Sequence, residues 1–112
     1  MRVLAITRIH GIAGRRNDLR ALMQTTEALA SEEPGCREYR FAALLDDPDE
    51  YLHVQEWEDE AAWDAHQTSA GFRAYQRNIF DLLARPSDMR IHRGGEAITP
   101  TPSGPPDPRA VD

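Results

Sequence analysis

The sequence contains no lysine, because all thirteen of its basic residues are arginine. A Schiff base with a carbonyl substrate and a lysine general base are therefore both excluded. Cysteine is nearly absent as well: Cys36 is the only one, so no disulfide can form within the chain. No spacing of cysteine and histidine resembles a zinc site, and we expect no bound metal. Cys36 is predicted to be a half-buried structural thiol rather than a reactive one.

The sequence also has no long hydrophobic run. No unbroken apolar stretch approaches about 18 residues, so no membrane-spanning segment is predicted. The first ten residues, MRVLAITRIH, have no separate apolar segment followed by a small-residue cleavage site. They are expected to form a strand rather than a signal peptide, which makes a cytoplasmic location the default expectation. A net charge of −6 and a pI near 5.1 argue against nucleic acid as the main partner.

The hydrophobic pattern changes period along the chain in a regular order. Residues 2–10 alternate as in a strand, and apolar positions from 15 to 33 follow a helical spacing that the sequence EEPG ends. The other predicted elements are strands at 36–45 and 51–58, a short helix after Asp59, a helix from Ser69 to about Ala84, and a strand at 89–93.

This β-α-β-β-α-β order predicts an α+β ferredoxin-like fold with a four-stranded antiparallel sheet. Residues 1–93 form the predicted domain, and residues 94–112, which hold five of the eight prolines, are predicted to be a flexible tail. Bulky groups such as Phe41, and Trp57 or its neighbours, are placed on the sheet face away from the helices. A sheet that is apolar on both faces needs a second cover, so we expect a homodimer.

Aromatic residues and histidines are concentrated between residues 51 and 72, which hold both tryptophans and two of the four histidines. His53 and Trp57 share one strand face, which fits either a pocket wall or a dimer interface. His66 follows Trp63 by three residues, so the two project from nearly the same helix face. Core packing is the alternative for Trp63 and for Tyr75, and an ion pair with Asp64 or Glu60 is the alternative for Arg73.

Three segments, EEPGCREYRF, DDPDEYLHVQEWEDEAAWDAH and SAGFRAY, together resemble the antibiotic biosynthesis monooxygenase (ABM) family of dimeric α+β barrels. The resemblance covers residues 2 to about 93. That family includes cofactor-free oxygenases of aromatic polyketides and quinols, and haem-degrading enzymes. The asparagine, tryptophan and histidine of the haem degraders fall on Thr7, His66 and Tyr75 here. None of the three matches, so haem degradation is disfavoured.

The site residues of the polyketide oxygenases fall on His53, Trp57, Trp63 and Arg73, and two of these, Trp57 and Arg73, are identical in type. The resemblance implies a cofactor-independent monooxygenase, working as a homodimer, that oxidises a small aromatic polyketide or quinol with molecular oxygen. His66 is the first choice for the base and His53 the second. The predicted substrate-binding residues are Trp57, Trp63, Phe72, Tyr75 and Arg73.

Two other functions remain open at this point. A non-redox polyketide cyclase or isomerase would use the same pocket without oxygen, and a non-catalytic ligand-binding protein would use it without turnover.

Overall fold

The computed structural model describes residues 1–95, 98, 104–106 and 108–109. Its elements are β1 (Val3–His10), α1 (Arg16–Ala30), β2 (Cys36–Ala43), β3 (Glu50–Trp57), α2 (Glu60–Gln67), α3 (Ala70–Ile79) and β4 (Asp88–Arg93). The sheet has the order β2-β3-β1-β4, and all neighbouring strands are antiparallel. The predicted α+β ferredoxin-like fold is therefore confirmed.

The central strands and the two short helices form for the reasons that the sequence indicates. Buried and half-buried residues alternate along all of β3, as expected for a strand with one face on the core. The carboxylate of Asp59 accepts the backbone N–H of Ala62 at the start of α2. The hydroxyl of Ser69 accepts the backbone N–H of Phe72 at the start of α3. Both side chains satisfy helical donors that would otherwise lack partners.

The first helix is shorter than predicted, since it ends at Ala30 and not at residue 33. Beyond it the backbone forms turns, in which Glu33 N–H bonds to the carbonyl of Ala30 and Cys36 N–H to that of Glu33. A residue that precedes proline is disfavoured in the helical conformation, so Glu33 cannot continue the helix next to Pro34. The turn brings Glu33 to the side of α2.

The third helix also ends earlier than the predicted limit near Ala84. Its α-helical part stops at Ile79, and Phe80–Leu82 form one turn of 3-10 helix. The chain then meets the end of β1, where the N–H of Ala84 donates to the carbonyl of His10 over 2.8 Å. Hydrogen bonds to β1 thus replace those that would have continued the helix.

Phe41 and Trp57 were predicted to lie on the open face of the sheet, and this was wrong. Trp57 is 0% exposed beneath the helices, and Phe41 stacks on His53 of the same face. The dimer-interface interpretation of His53 and Trp57 fails for the same reason, because a single chain buries both. The bulky residues of the open face are instead half-buried aliphatic side chains: Leu4, Ile6, Leu52 and Val54.

A band of buried polar residues divides the core into two apolar clusters. One cluster includes Ile9, Met23 and Tyr51, and the other includes Ala5, Ala30 and Trp57. Between them along β1, β3 and α1 lie polar side chains that are 9% exposed or less: Thr7, Thr26, His53 and Gln55. Apolar side chains in these places would have joined the two clusters, so the polar band marks the part of the core that packing alone does not explain.

A second polar network joins β4 to the rest of the sheet. One ring nitrogen of His10, Nδ1, lies 2.8 Å from both carboxylate oxygens of Glu50, and the other, Nε2, lies 2.9 Å from Asp88. The hydrogen bond with His10 holds the pKa of Asp88 below its usual range. Since its two ring nitrogens bond on opposite sides, His10 bridges β3 and β4.

The predicted tail, residues 94–112, lies for the most part outside the described residues. Among the helices that are described, none is long and apolar enough to cross a membrane.

Candidate active site

Several polar atoms of the central band have no partner in the protein. In the described part of the chain, six buried side-chain atoms accept or donate no hydrogen bond: Thr7 Oγ1, Tyr39 Oη, His53 Nε2, Gln55 Nε2, His66 Nε2 and Gln67 Nε2. An unsatisfied buried polar atom costs about 1–3 kcal/mol. Four of the six lie on the helix-facing side of β1, β2 and β3, where Thr7 is the cross-strand partner of His53 and Tyr39 that of Gln55. Such a concentration is typical of a site that binds a ligand.

His66 projects from α2 onto this surface and is held by Glu33. Its Nδ1 atom lies 2.7 Å from the Glu33 carboxylate, and the His66 side chain is almost fully buried. Because a carboxylate only accepts, Nδ1 carries the hydrogen of this bond. In the neutral ring, Nε2 then carries the free lone pair, and it is the atom without a partner. The pair therefore has the arrangement of an oriented general base.

His53 lies in the same layer but in a different electrostatic state. Burial, together with the nearby His66, lowers its pKa to about 3. At neutral pH His53 is uncharged and a weak base. Its unpartnered Nε2 can donate to or accept from a ligand, but proton abstraction suits His66 better. The geometry therefore favours His66, the first choice for the base, over His53, the second choice, and both assignments stay predictions.

Aromatic rings surround both histidines. His66 stacks on Trp57 with ring centroids 4.6 Å apart, and His53 stacks on Phe41 at 4.0 Å. Tyr39 presents its ring edge-on to each histidine, at 4.5 Å from His53 and 5.3 Å from His66. Burial raises the pKa of the Tyr39 phenol above its ordinary value, so it stays protonated. Both histidines therefore lie in an aromatic and largely apolar part of the core.

Two clefts reach the Glu33–His66 pair from outside. The first, which we name the α1–α3 cleft, has a volume of about 260 Å³ and is lined by Thr26, Leu29, Ala30, Ser69, Gly71 and Phe72 as well as the pair. The second, the α2 cleft, has a volume of about 360 Å³ and lies between the Pro34–Gly35 turn and α2, with Glu58 and Asp59 at its side. His66 is therefore buried in the protein yet next to two openings.

Five of the predicted site residues come together through ring contacts, Trp63 packs beside one of them, and Arg73 lies apart. The ring of His66 contacts the rings of Trp57 and Phe72. Tyr75 contacts Phe72 and also Phe41, and Phe41 in turn stacks on His53. Burial raises the pKa of Tyr75. Trp63 and Arg73 take part in none of these ring contacts.

Trp63 packs in an apolar cluster with Val3, Ala30 and Trp57, as its alternative interpretation predicted. Arg73 is exposed on α3, and it makes no ion pair with another described residue. Glu60, which had been considered as its partner, pairs with Arg93 instead over 2.6 Å.

Glu33, Tyr39 and Gln55 were missed as site residues by the sequence reading. In the sequence, Glu33 belongs to the EEPG motif that ends α1, and its partner lies 33 residues further along the chain. Tyr39 and Gln55 could have been found from the strand pattern, because each shares the helix-facing side with His53. No local spacing could have paired Glu33 with His66.

Cys36 does not take part in this site. It is half-buried, and burial, followed by the nearby Glu33 and Glu38 carboxylates, raises the pKa of its thiol. A raised pKa keeps the thiol protonated and unreactive, in agreement with the structural role predicted for it. Within the described ranges, no cluster of histidine, cysteine and carboxylate groups could hold a metal ion.

A four-stranded antiparallel sheet with helices over one face places the chain in the class of small ferredoxin-like α+β proteins. The profile of the antibiotic biosynthesis monooxygenase (ABM) family matches residues 2–78. The chain belongs to this family, as the resemblance of its three motifs predicted.

Solved structures of similar proteins show the same fold. Rv0793 from Mycobacterium tuberculosis superposes with a TM-score of 0.81 at 24% identity, over 88% of this chain and 100% of that one. A variant of SnoaB, a cofactor-independent oxygenase from Streptomyces nogalater, superposes with a TM-score of 0.75 at 16% identity, over 87% and 96%. At these identities the likeness establishes the fold.

One curated relative is similar in sequence. The uncharacterized protein sll1783 of Synechocystis sp. is 29% identical over 85 residues, or 76% of this chain. The aligned region spans 58% of the length of that relative.

Proposed function

We propose that this protein is a cofactor-independent oxygenase that oxidises a small, electron-rich aromatic compound, a polyketide phenol or quinol, with molecular oxygen. The Glu33–His66 pair carries this proposal, because its unpartnered Nε2 atom lies among aromatic rings while His66 itself lines two clefts. Membership of the ABM family, whose members include monooxygenases, supports the reaction class.

The reaction begins with a proton transfer. His66 Nε2 takes the hydroxyl proton of the substrate, and the Glu33 carboxylate stabilises the resulting imidazolium through the Nδ1–H bond. The aryloxide spreads its charge onto a ring carbon, which gives an electron to dioxygen, and the two radicals join to form a carbon–oxygen bond. The peroxide takes a proton back from His66.

The second stage is loss of water. The ring hydroperoxide loses its outer O–H together with the hydrogen on the same carbon, and this leaves a carbonyl. One oxygen atom enters the product and the other leaves as water. The substrate supplies all the electrons, so the proposed reaction needs no flavin or metal.

One aromatic wall has a task in this scheme. Phe72, which contacts the His66 ring and lines the α1–α3 cleft, holds the substrate ring beside the base and excludes water from it. Trp57 stacks on His66 and fixes its ring. His53, Gln55, Tyr39 and Arg73 line neither cleft, so their predicted or possible contacts with a substrate stay predictions.

A non-redox cyclase or isomerase is the second candidate function. The specific observation that favours it is the same Glu33–His66 pair, since an oriented base can remove a proton next to a carbonyl whether or not oxygen follows. Product formation under nitrogen at the aerobic rate would identify that activity.

Oxygen uptake with a panel of hydroquinones, anthrones and naphthols, measured in the presence of a metal chelator, tests the proposal. We expect uptake by the unaltered protein and a loss of roughly 10²–10⁴-fold in turnover for His66→Ala, because the base is removed. Glu33→Gln should lose less, roughly 10–10²-fold, because the base remains but its orienting charge is gone. Glu32→Gln is the matched control: its side chain is the exposed neighbour of Glu33, and its rate should be unchanged.

An unchanged rate in His66→Ala would remove the assigned base. Absence of uptake across the whole panel would contradict the oxygenase assignment.

A further inference from the structure

We propose that the α1–α3 cleft is the substrate's entrance and binding groove, that it selects an uncharged aromatic ring bearing a hydroxyl, and that Gly71 sets the size of its mouth. This inference deepens the proposed function, because it assigns a substrate class and a specificity-determining position to the same site.

The polar side chains of the α1–α3 cleft are already engaged within the protein. The hydroxyl of Thr26 donates to the carbonyl of Leu22, and that of Ser69 donates to the carbonyl of His66 while accepting the N–H of Phe72. The Glu33 carboxylate is bonded to His66 Nδ1. Among the buried side-chain atoms of the described residues that line this cleft, only His66 Nε2 has no hydrogen-bond partner. The groove therefore fits a ligand that is apolar apart from one hydroxyl beside His66.

The charge of the cleft favours a neutral ligand. Glu33 is the only charged side chain among the described residues that line it, and no arginine is present. A substrate with a carboxylate would place its negative charge near Glu33 in a partly dry cleft without a counter-ion, which is costly. A neutral phenol avoids this cost before the base acts on it.

The rival entrance, the α2 cleft, has the opposite character. Three carboxylates line it, from Glu33, Glu58 and Asp59, and Asp59 is occupied with the N-terminus of α2. An electron-rich ring with a developing phenolate charge gains nothing from three anionic neighbours. We therefore assign no substrate to the α2 cleft, which only brings Glu33 into contact with solvent.

Gly71 controls the width of the α1–α3 cleft. Gly71 lines the cleft, and a Cβ atom at this position would meet no heavy atom within 4 Å, so a large side chain can be placed at the mouth without a steric clash. Gly71 is the second residue of α3, just as Ala61 is the second residue of α2 at the other cleft. The same large substitution can therefore be made at equivalent helical positions on the two routes.

Calorimetric titration of the full-length protein with 1-naphthol tests the entrance without requiring turnover. We expect binding by the unaltered protein and at least a tenfold loss of affinity in Gly71→Trp, because the indole fills the groove. Ala61→Trp, the same substitution at the other cleft, should keep its affinity within about twofold. Thermal unfolding of each variant verifies that it is folded.

A companion titration tests the charge selection. The probe 1-hydroxy-2-naphthoate, which adds a carboxylate beside the hydroxyl, should bind at least tenfold more weakly than 1-naphthol. Equal binding of the two compounds would overturn the selection of a neutral ring.

The entrance would be overturned by three results: a loss of affinity in Ala61→Trp and not in Gly71→Trp, equal affinity in all variants, or no binding of 1-naphthol by the unaltered protein. Failure of the proposed function looks different. Naphthol binding that depends on Gly71, without oxygen uptake, would leave this inference standing and remove the oxygenase. Oxygen uptake that Gly71→Trp does not alter would leave the oxygenase standing and remove the α1–α3 cleft as the entrance.

Discussion

His53 illustrates how burial decides what a titratable side chain can do. Its ring is 3% exposed and lies flat against Phe41. Protonation would place a charge in the interior next to His66, and the pKa therefore falls to about 3. His66, in contrast, has a carboxylate on one ring nitrogen. The two histidines thus differ in their chemical surroundings, and residue type alone cannot distinguish them.

The low pKa of His53 predicts that acid destabilises the protein. The unfolded chain binds a proton at His53 near pH 6.5, whereas the folded chain binds it only near pH 3, so stability falls as the pH drops through this window. Between pH 7.5 and pH 5.0 this residue should remove about 2 kcal/mol from the free energy of unfolding. Urea denaturation at the two pH values measures the loss.

The matched variant for this measurement is His53→Phe, which keeps a flat ring against Phe41 and removes the titrating group. Its free energy of unfolding should lose about 2 kcal/mol less than that of the unaltered protein over the same interval. Parallel losses in the two proteins would assign the acid sensitivity to other groups.

At the scale of elements, the turn between α1 and β2 positions Glu33 beside His66, the proposed base. Gly35 has a φ of +80°, and its carbonyl accepts the N–H of Glu58 over 2.8 Å. A Cβ atom on Gly35 would lie 2.5 Å from the Cβ of Ala62 in α2. Glycine is therefore required here both for the backbone conformation and for the close approach of the turn to the helix. This approach keeps Glu33 within reach of His66.

Gly35→Ala should destabilise the protein by about 2–4 kcal/mol, from the left-handed backbone and the contact with α2 together. Thermal or urea unfolding measures the loss. The comparison variant is Gly71→Ala, in a helix and with open space around it, which should be neutral or slightly stabilising. Similar unfolding curves for Gly35→Ala and the unaltered protein would show that the turn accommodates a side chain and does not fix Glu33.

The elements themselves could be predicted because their signals are local. The alternation in β3 and the caps Asp59 and Ser69 lie within a few residues of the structure they specify. The helix ends could not be predicted as well, because they depend on distant partners. The early end of α3 follows from hydrogen bonds to β1, some 70 residues earlier in the chain, as between Ala84 and His10.

At the scale of the whole molecule, the open face of the sheet predicts the assembly. Leu4, Ile6, Leu52 and Val54 lie there half-buried, with no helix over them. We propose that a second copy of the chain covers this face, as the expected dimeric α+β barrel would. Sedimentation should give a dimer at micromolar concentration.

Ile6→Arg is the variant that tests this assembly. Ile6 is the cross-strand partner of Val54, so an arginine there would place an unpaired charge in the centre of the contact and should yield monomers. An exposed substitution on α3, Gln76→Arg, should leave the dimer intact. Sedimentation of the unaltered protein as a monomer would contradict the proposed dimer.

The site was predicted only in part, and the reason lies in how it is assembled. His53, Trp57 and His66 belong to one continuous stretch of sequence and could be singled out from their spacing. The residues that give them their roles come from elsewhere, with Glu33 from the α1–β2 turn and Phe41 from β2. Because pairings across the fold determine which histidine acts as the base, the local pattern left both possible.

The central claim is that dioxygen itself is the oxidant, with His66 as the base and the substrate as the source of electrons. Turnover of a quinol or naphthol substrate under ¹⁸O₂, in protein dialysed against a chelator, tests it most directly by mass spectrometry of the product. The account predicts one labelled oxygen atom in the new carbonyl and one in water, with the yield lost in His66→Ala. A product without the label, or one formed equally well under nitrogen, would contradict it.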